Sequence, residues 1–151
     1  MKNNNDLTCP CHSKKLYINC CKVFHDKSKI PNPQELMRSR YSAYAMTMPD
    51  YIIETTHKNS TSFHKDINKW KSQIIDFCKT TDFYDLKIHH FISFENQAFV
   101  TFTAFLKNGD KDITFTEKST FIKENGRWYY LNGEIVAGAP SIDELKELKF
   151  I

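Results

Sequence analysis

The chain has 151 residues, 40% hydrophobic and 14% aromatic, with a net charge of +3. That supports one packed core and excludes global disorder or two independent cores. No apolar run approaches the roughly 20 residues needed to span a bilayer. Met1 to Asp6 lack the apolar segment of a secretory signal, so the chain reads as cytoplasmic.

The first element is a cysteine cluster: Cys9-Pro10-Cys11, a short loop, then Cys20-Cys21. Clustered thiols in a reducing compartment favour a metal over disulfides. Adjacent Cys20 and Cys21 would hardly bridge each other without strain. Four soft donors suit tetrahedral Zn2+; iron stays open, and His12 and His25 are spare ligands, with His25 able to replace a thiol. A closed four-ligand site has no open position for substrate, which points to structure or docking. Around it, Lys2, Lys14, Lys15, Lys22, Lys27 and Lys29 face only Asp6 and Asp26. Such a basic head suits an acidic protein or nucleic acid, and it is equally what a solvated surface looks like. Arg38, Arg40 and Arg127 are the only arginines, all outside the head. That weighs against base reading and leaves phosphate contacts open.

Ile30 to Pro33 reads as a rigid hinge between modules. A helix follows, with Asn32 as N-cap, Pro33 at the first position and Glu35 at the third. Met37, Tyr41, Tyr44 and Met48 form its inward stripe, with Arg40 on the edge and Arg38 further round. Pro49 opens a short helix through Glu54. Residues 57–62 are loop-like, leaving His57 and His64 in or near solvent. A third helix places Phe63, Ile67, Trp70, Ile74 and Phe77 on one face, with Cys78 a buried thiol beside it. From Tyr84 the period becomes two. Tyr84, Leu86, Ile88, His90, Ile92 and Phe94 alternate down one strand. Ala98 to Leu106 make a second, and Ile113, Phe115, Glu117, Ser119 and Phe121 share a face of the third. Arg127 to Ile135 make the fourth. Asn108-Gly109 and Asn125-Gly126 are hairpin signals. Ser141 and Glu144 cap a short terminal helix.

Three helices and a four-stranded antiparallel meander predict an α+β fold: a curved sheet closed by helices into a cone with one concave face. The expected units are a knuckle over residues 1–29, the cone over 30–138 and a tail with a short helix over 139–151.

The run from Cys9 to Cys21, Cys-Pro-Cys-His-Ser-Lys-Lys-Leu-Tyr-Ile-Asn-Cys-Cys, resembles the SEC-C motif, the zinc-binding tail of the SecA translocation ATPase. The family pattern has glycine where this chain has His12 and Lys14. Glu35 to Ala45 resembles the signature helix of the YchJ family, and Gly126 to Gly133 resembles its last strand. The resemblance implies a zinc-binding SEC-C knuckle followed by a nuclear-transport-factor-2-like (NTF2-like) cone. Many relatives carry a second cysteine motif at the C-terminus; residues 137–151 contain no cysteine.

His90, Glu117 and Ser119 interrupt inward strand faces, where a carboxylate needs a partner or a shifted pKa. Arg38 or Arg40 is the expected partner of Glu117, with Tyr41 or Tyr130 close by. Two readings are open: a buried ion pair bracing helix to sheet, or a polar pocket with Glu117 as anchor or general base and His90 or Tyr130 beside it. The leading functional expectation is an adaptor whose zinc knuckle docks a protein. The alternatives are an enzyme or small-ligand binder using the cone pocket, and a nucleic-acid binder using the basic knuckle.

Overall fold

The structure, a computed structural model, describes residues 6–151; the expected polar start over residues 1–8 lies mostly outside that range. After the cysteine loop, a single 3-10 turn (Tyr17–Asn19) leads into α1 (Cys21–His25), a helix not anticipated. α2 (Pro33–Ala45) starts as its sequence directs: Asn32 accepts the Glu35 N–H at 3.0 Å and Pro33 fills the first turn. α3 (Pro49–Thr55) and α4 (Ile67–Thr80) follow, the latter capped by Asp66.

The sheet contains β1 (Asp82–Ser93), β2 (Gln97–Asn108), β3 (Lys111–Asp112), β4 (Phe115–Glu124) and β5 (Arg127–Ala137). Its antiparallel order is β1-β2-β4-β5, with β3 paired to β2. The sheet thus has five strands rather than four. The third expected strand begins at Phe115 rather than Ile113, because Thr114 turns its N–H to the Asp112 carboxylate at 2.8 Å, and the short β3 before it was not anticipated. The Asn125-Gly126 hairpin has both residues at positive φ, as its turn type requires. In the other hairpin Asn108 pairs with Lys111, so the turn is Gly109-Asp110 rather than Asn108-Gly109.

The concave face joins Ala98, Val100, Phe102, Ala104 and Leu106 of β2 to Leu36, Met37 and Tyr41 of α2, with Phe121 and Trp128 from β4 and β5. A second cluster packs Ala43, Tyr51 and Ile52 against Trp70, Ile74 and Cys78 of α4. The buried stripe of α4 therefore runs 70–74–78, and Ile67 and Phe77 are exposed. Cys78 is buried as expected, and burial pushes its thiol up to about 11.

The convex face is covered by the tail. Leu145 of α5 (Ile142–Glu147) is fully buried, and so is Phe150. Outward-facing side chains of the sheet bond this segment: Thr101 donates to the Phe150 carbonyl, Lys118 to that of Lys149 and Thr116 to that of Gly138. The helix has the expected capping box of Ser141 and Glu144.

The proline-rich hinge does not set the knuckle apart. His25 donates from Nε2 to the Ser39 carbonyl at 2.8 Å, Arg38 donates to the Cys11 carbonyl at 3.2 Å, and Cys9 Sγ lies 3.5 Å from Ser42 Oγ. One face of α2 is thus committed to the knuckle. The other faces the cone interior.

Candidate functional site

Cys9, Cys11, Cys20 and Cys21 are all buried, none is in a disulfide, and their sulfurs lie within 4.8 Å of one another. An ideal tetrahedral Zn–S site places sulfurs about 3.8 Å apart; Cys11 and Cys20 are at 3.6 Å. The four thiols thus fit one metal ion. Without metal they share protons. Hydrogen bonds from the Cys21 and Cys9 thiols pull Cys11 far below the usual thiol range, the bond to Cys11 drives Cys21 far above it, and burial pushes Cys20 up to about 11. Ser13 lies 3.3 Å from the Cys20 sulfur. His25 is not in the cluster: Tyr17 donates to its Nδ1 at 2.7 Å while its Nε2 serves Ser39. His12 donates to the Phe83 carbonyl at 3.2 Å, tying the knuckle to β1. His12 and Lys14, where the SEC-C pattern has glycine, adopt φ of 62° and 72°. This is the left-handed region that glycine enters without cost.

The cone holds a half-open cavity of about 450 Å³, within the range of small-ligand sites. Its wall is mostly aromatic and aliphatic, and Ser62, His64, Gln73 and Ile135 line it from exposed positions. Arg40, Tyr41, Glu117, Ser119 and Tyr130 all line this one space. Glu117 is buried, accepts a hydrogen bond from Ser119, and has its pKa raised by burial against the opposing effects of Ser119, Arg40 and Tyr130. Tyr44, also in the wall, is likewise pushed up by burial. Gly133 lies under Glu117: a Cβ there would overlap the carboxyl group.

Four expectations about the polar residues fail. Arg38 belongs to the knuckle contact and not to the cavity. His90 is exposed, because the register of β1 shifts between Ile88 and His90 and the inward position passes to Phe91. Arg40 does not pair with Glu117. Its Nη1 donates to the Ile52 carbonyl at 3.1 Å, to Thr55 at 2.7 Å and to Thr56 at 3.0 Å, and its guanidinium lies 4.7 Å from the Tyr130 ring centre. His57, expected in or near solvent, is buried. Its Nδ1 accepts from the Asn59 N–H at 3.0 Å, its Nε2 donates to Glu124, and its own N–H bonds the Tyr130 carbonyl at 2.9 Å. It fastens the loop after α3 to β5. Tyr44, Thr56 and Gly133 were not singled out as site residues. Only the glycine inside a strand pattern was a signal of close approach.

A cysteine knuckle built onto an NTF2-like cone defines the class. Residues 32–133 match the family described as YchJ, middle NTF2-like domain. A UPF0225 protein of Vibrio vulnificus is 34% identical over 137 residues, covering 90% of this chain and 80% of the relative. The solution structure of a SEC-C motif containing protein from Rhodopseudomonas palustris aligns with a TM-score of 0.72 and 31% identity, over 86% of this chain and 99% of that one. The crystal structure of a sec-c motif containing protein from Psychrobacter arcticus gives 0.71 and 26%, over 90% and 86%. The chain belongs to the YchJ family. No helix among the described residues is long and apolar enough to cross a membrane.

Proposed function

We propose that this protein binds a compact, largely apolar small molecule in the cone cavity, and that the cysteine knuckle is a structural zinc site bracing the wall. The observation that carries the reading is Glu117: a buried carboxyl with a raised pKa, lining a mostly apolar space, with no cation in ion-pair contact among the described residues. A group that only braced the fold would be paired. Zinc is the metal of choice for four buried thiolates with no open position, and α2 connects that site to the cavity through its opposite faces. A fragment screen read by backbone amide shifts tests the proposal. Hits should perturb Tyr44, Glu117, Ser119 and Tyr130, and should vanish in Ala104→Met, which fills the cavity. Absence of hits, or hits confined to the knuckle, would sink it. An enzyme using Glu117 as general acid or base would give the same shift map plus turnover of a bound fragment.

A second reading, docking of a protein partner or of nucleic acid through the knuckle, has its own support. Leu7, Leu16 and Val23 are exposed there, beside exposed Lys14 and Lys15. It is abandoned if retention on a polyanion matrix is unchanged in the double variant Lys14→Glu, Lys15→Glu.

A further inference from the structure

Arg40 is the least expected group in the cavity wall. It is only 9% exposed, yet no carboxylate pairs with it among the described residues. All three of its hydrogen bonds leave from Nη1 and end on neutral oxygens of Ile52, Thr55 and Thr56. Among the described residues Nε and Nη2 have no acceptor, neither is sealed from solvent, and Arg40 lines the cavity. Guanidinium stays charged under all ordinary conditions. A cation this deep, held on one nitrogen and open on the others, lacks a counter-charge.

Glu117 does not supply one. It lines the same cavity, but it is outside ion-pair contact with Arg40 and engaged by Ser119. Burial holds its pKa above the ordinary carboxyl value, against the opposing effects of Ser119, Arg40 and Tyr130. The polar end of the cavity therefore offers one fixed positive charge with two nitrogens of a planar fork free, beside the Glu117 carboxyl and the Tyr130 hydroxyl. We infer that the ligand is a monocarboxylic acid with an apolar or aromatic body, its carboxylate received by Arg40. This rests on the cavity being the binding site. A single carboxylate matches both the geometry of the fork and the single unpaired charge; a phosphate dianion would bring a second charge with no partner. The remaining wall, with Tyr41, Tyr44, Trp70, Phe83, Phe102 and Phe121 among its residues, selects the body.

The test is calorimetric comparison of matched pairs on the zinc-loaded full chain: decanoate against 1-decanol, and indole-3-acetate against tryptophol. At least one acid should bind on the order of tenfold or more tighter than its alcohol, as a charge-assisted hydrogen bond supplies. Arg40→Met should bring that ratio close to one. This variant is expected to fold, because Thr55 and Thr56 keep their own acceptors on Tyr51 and Ile52. If acid and alcohol bind wild type equally well, and Ala104→Met abolishes both, the cavity reading stands and the carboxylate inference falls. If neither member of either pair binds, both fall. An acid preference that survives in folded Arg40→Met removes Arg40 from recognition and overturns the inference as well.

Discussion

The knuckle and the cavity are both built from buried polar groups, and they treat those groups in opposite ways. In the knuckle the four thiols face one another, with Ser13 and Ser42 in contact with two of the sulfurs; one cation would complete the arrangement and close it. In the cavity, Arg40 and Glu117 line one space without pairing, and their surroundings are mostly apolar. The first arrangement has room for one ion and no open position beyond it. The second leaves polar capacity turned towards a half-open cavity. A fold can pay for such a costly arrangement only by surplus stability elsewhere, and here the braced wall and the cavity wall are the same helix, α2.

The largest effect that could break this comparison is metal removal. Stripping the knuckle with a strong chelator, or replacing Cys20 with Ser, should lower the melting temperature by roughly 10 °C or more. Amide protection should fall along α2 as well as in residues 9–25, because His25, Arg38 and Ser42 bridge the two. Faster exchange confined to the knuckle, with an unchanged melt, would show that the proline segment is a true hinge.

A smaller effect sharpens the description of the cavity. The pKa of folded Glu117 is held above its ordinary 4.5, so the native protein keeps a proton that the unfolded chain releases above that pH. The group's contribution is complete below the unfolded pKa and is lost as pH rises through the folded one. Glutamine cannot ionise, so Glu117→Gln should gain on wild type as pH is raised towards neutrality. Melting curves of both proteins from about pH 5 to about pH 8 check this. A constant gap would mean that Glu117 is ionised and compensated in the folded state.

The smallest effect belongs to the knuckle loop. Lys14 is exposed and sits at φ 72°, a conformation that costs a side-chain-bearing residue about 1 kcal/mol. Lys14→Gly should raise the denaturation midpoint by a corresponding amount. His12→Gly is a poorer test, since it also removes the bond to Phe83.

The knuckle was readable because its four thiols are close in sequence, and clustered thiols in a reducing compartment favour a metal over disulfides. The inward face of β4 was readable from strict alternation, which put Phe115, Glu117, Ser119 and Phe121 on one side. Misreadings arose where a local rule meets a distant partner. Alternation cannot announce the register shift that turns His90 outward. Arg40 was given the nearest available carboxylate on charge alone, whereas the end of α3 offers it three oxygens from a different part of the chain. His57 sits in a polar stretch that looks solvated until Glu124 and β5 close over it. The docking of the tail was not legible, because which of its apolar residues are buried, Leu145 and Phe150 rather than Ile142 and Leu148, is decided by the outer face of the sheet.

Gly133 carries a consequence for inheritance. Because the carboxyl of Glu117 occupies the space a side chain at 133 would need, the two positions are one steric unit split between neighbouring strands. A descendant that acquires even a methyl group at 133 must shorten or redirect residue 117, and with it alter the acidic end of the cavity. Paired change at these two positions would therefore mark where lineages part in what they carry, without any alteration of the fold.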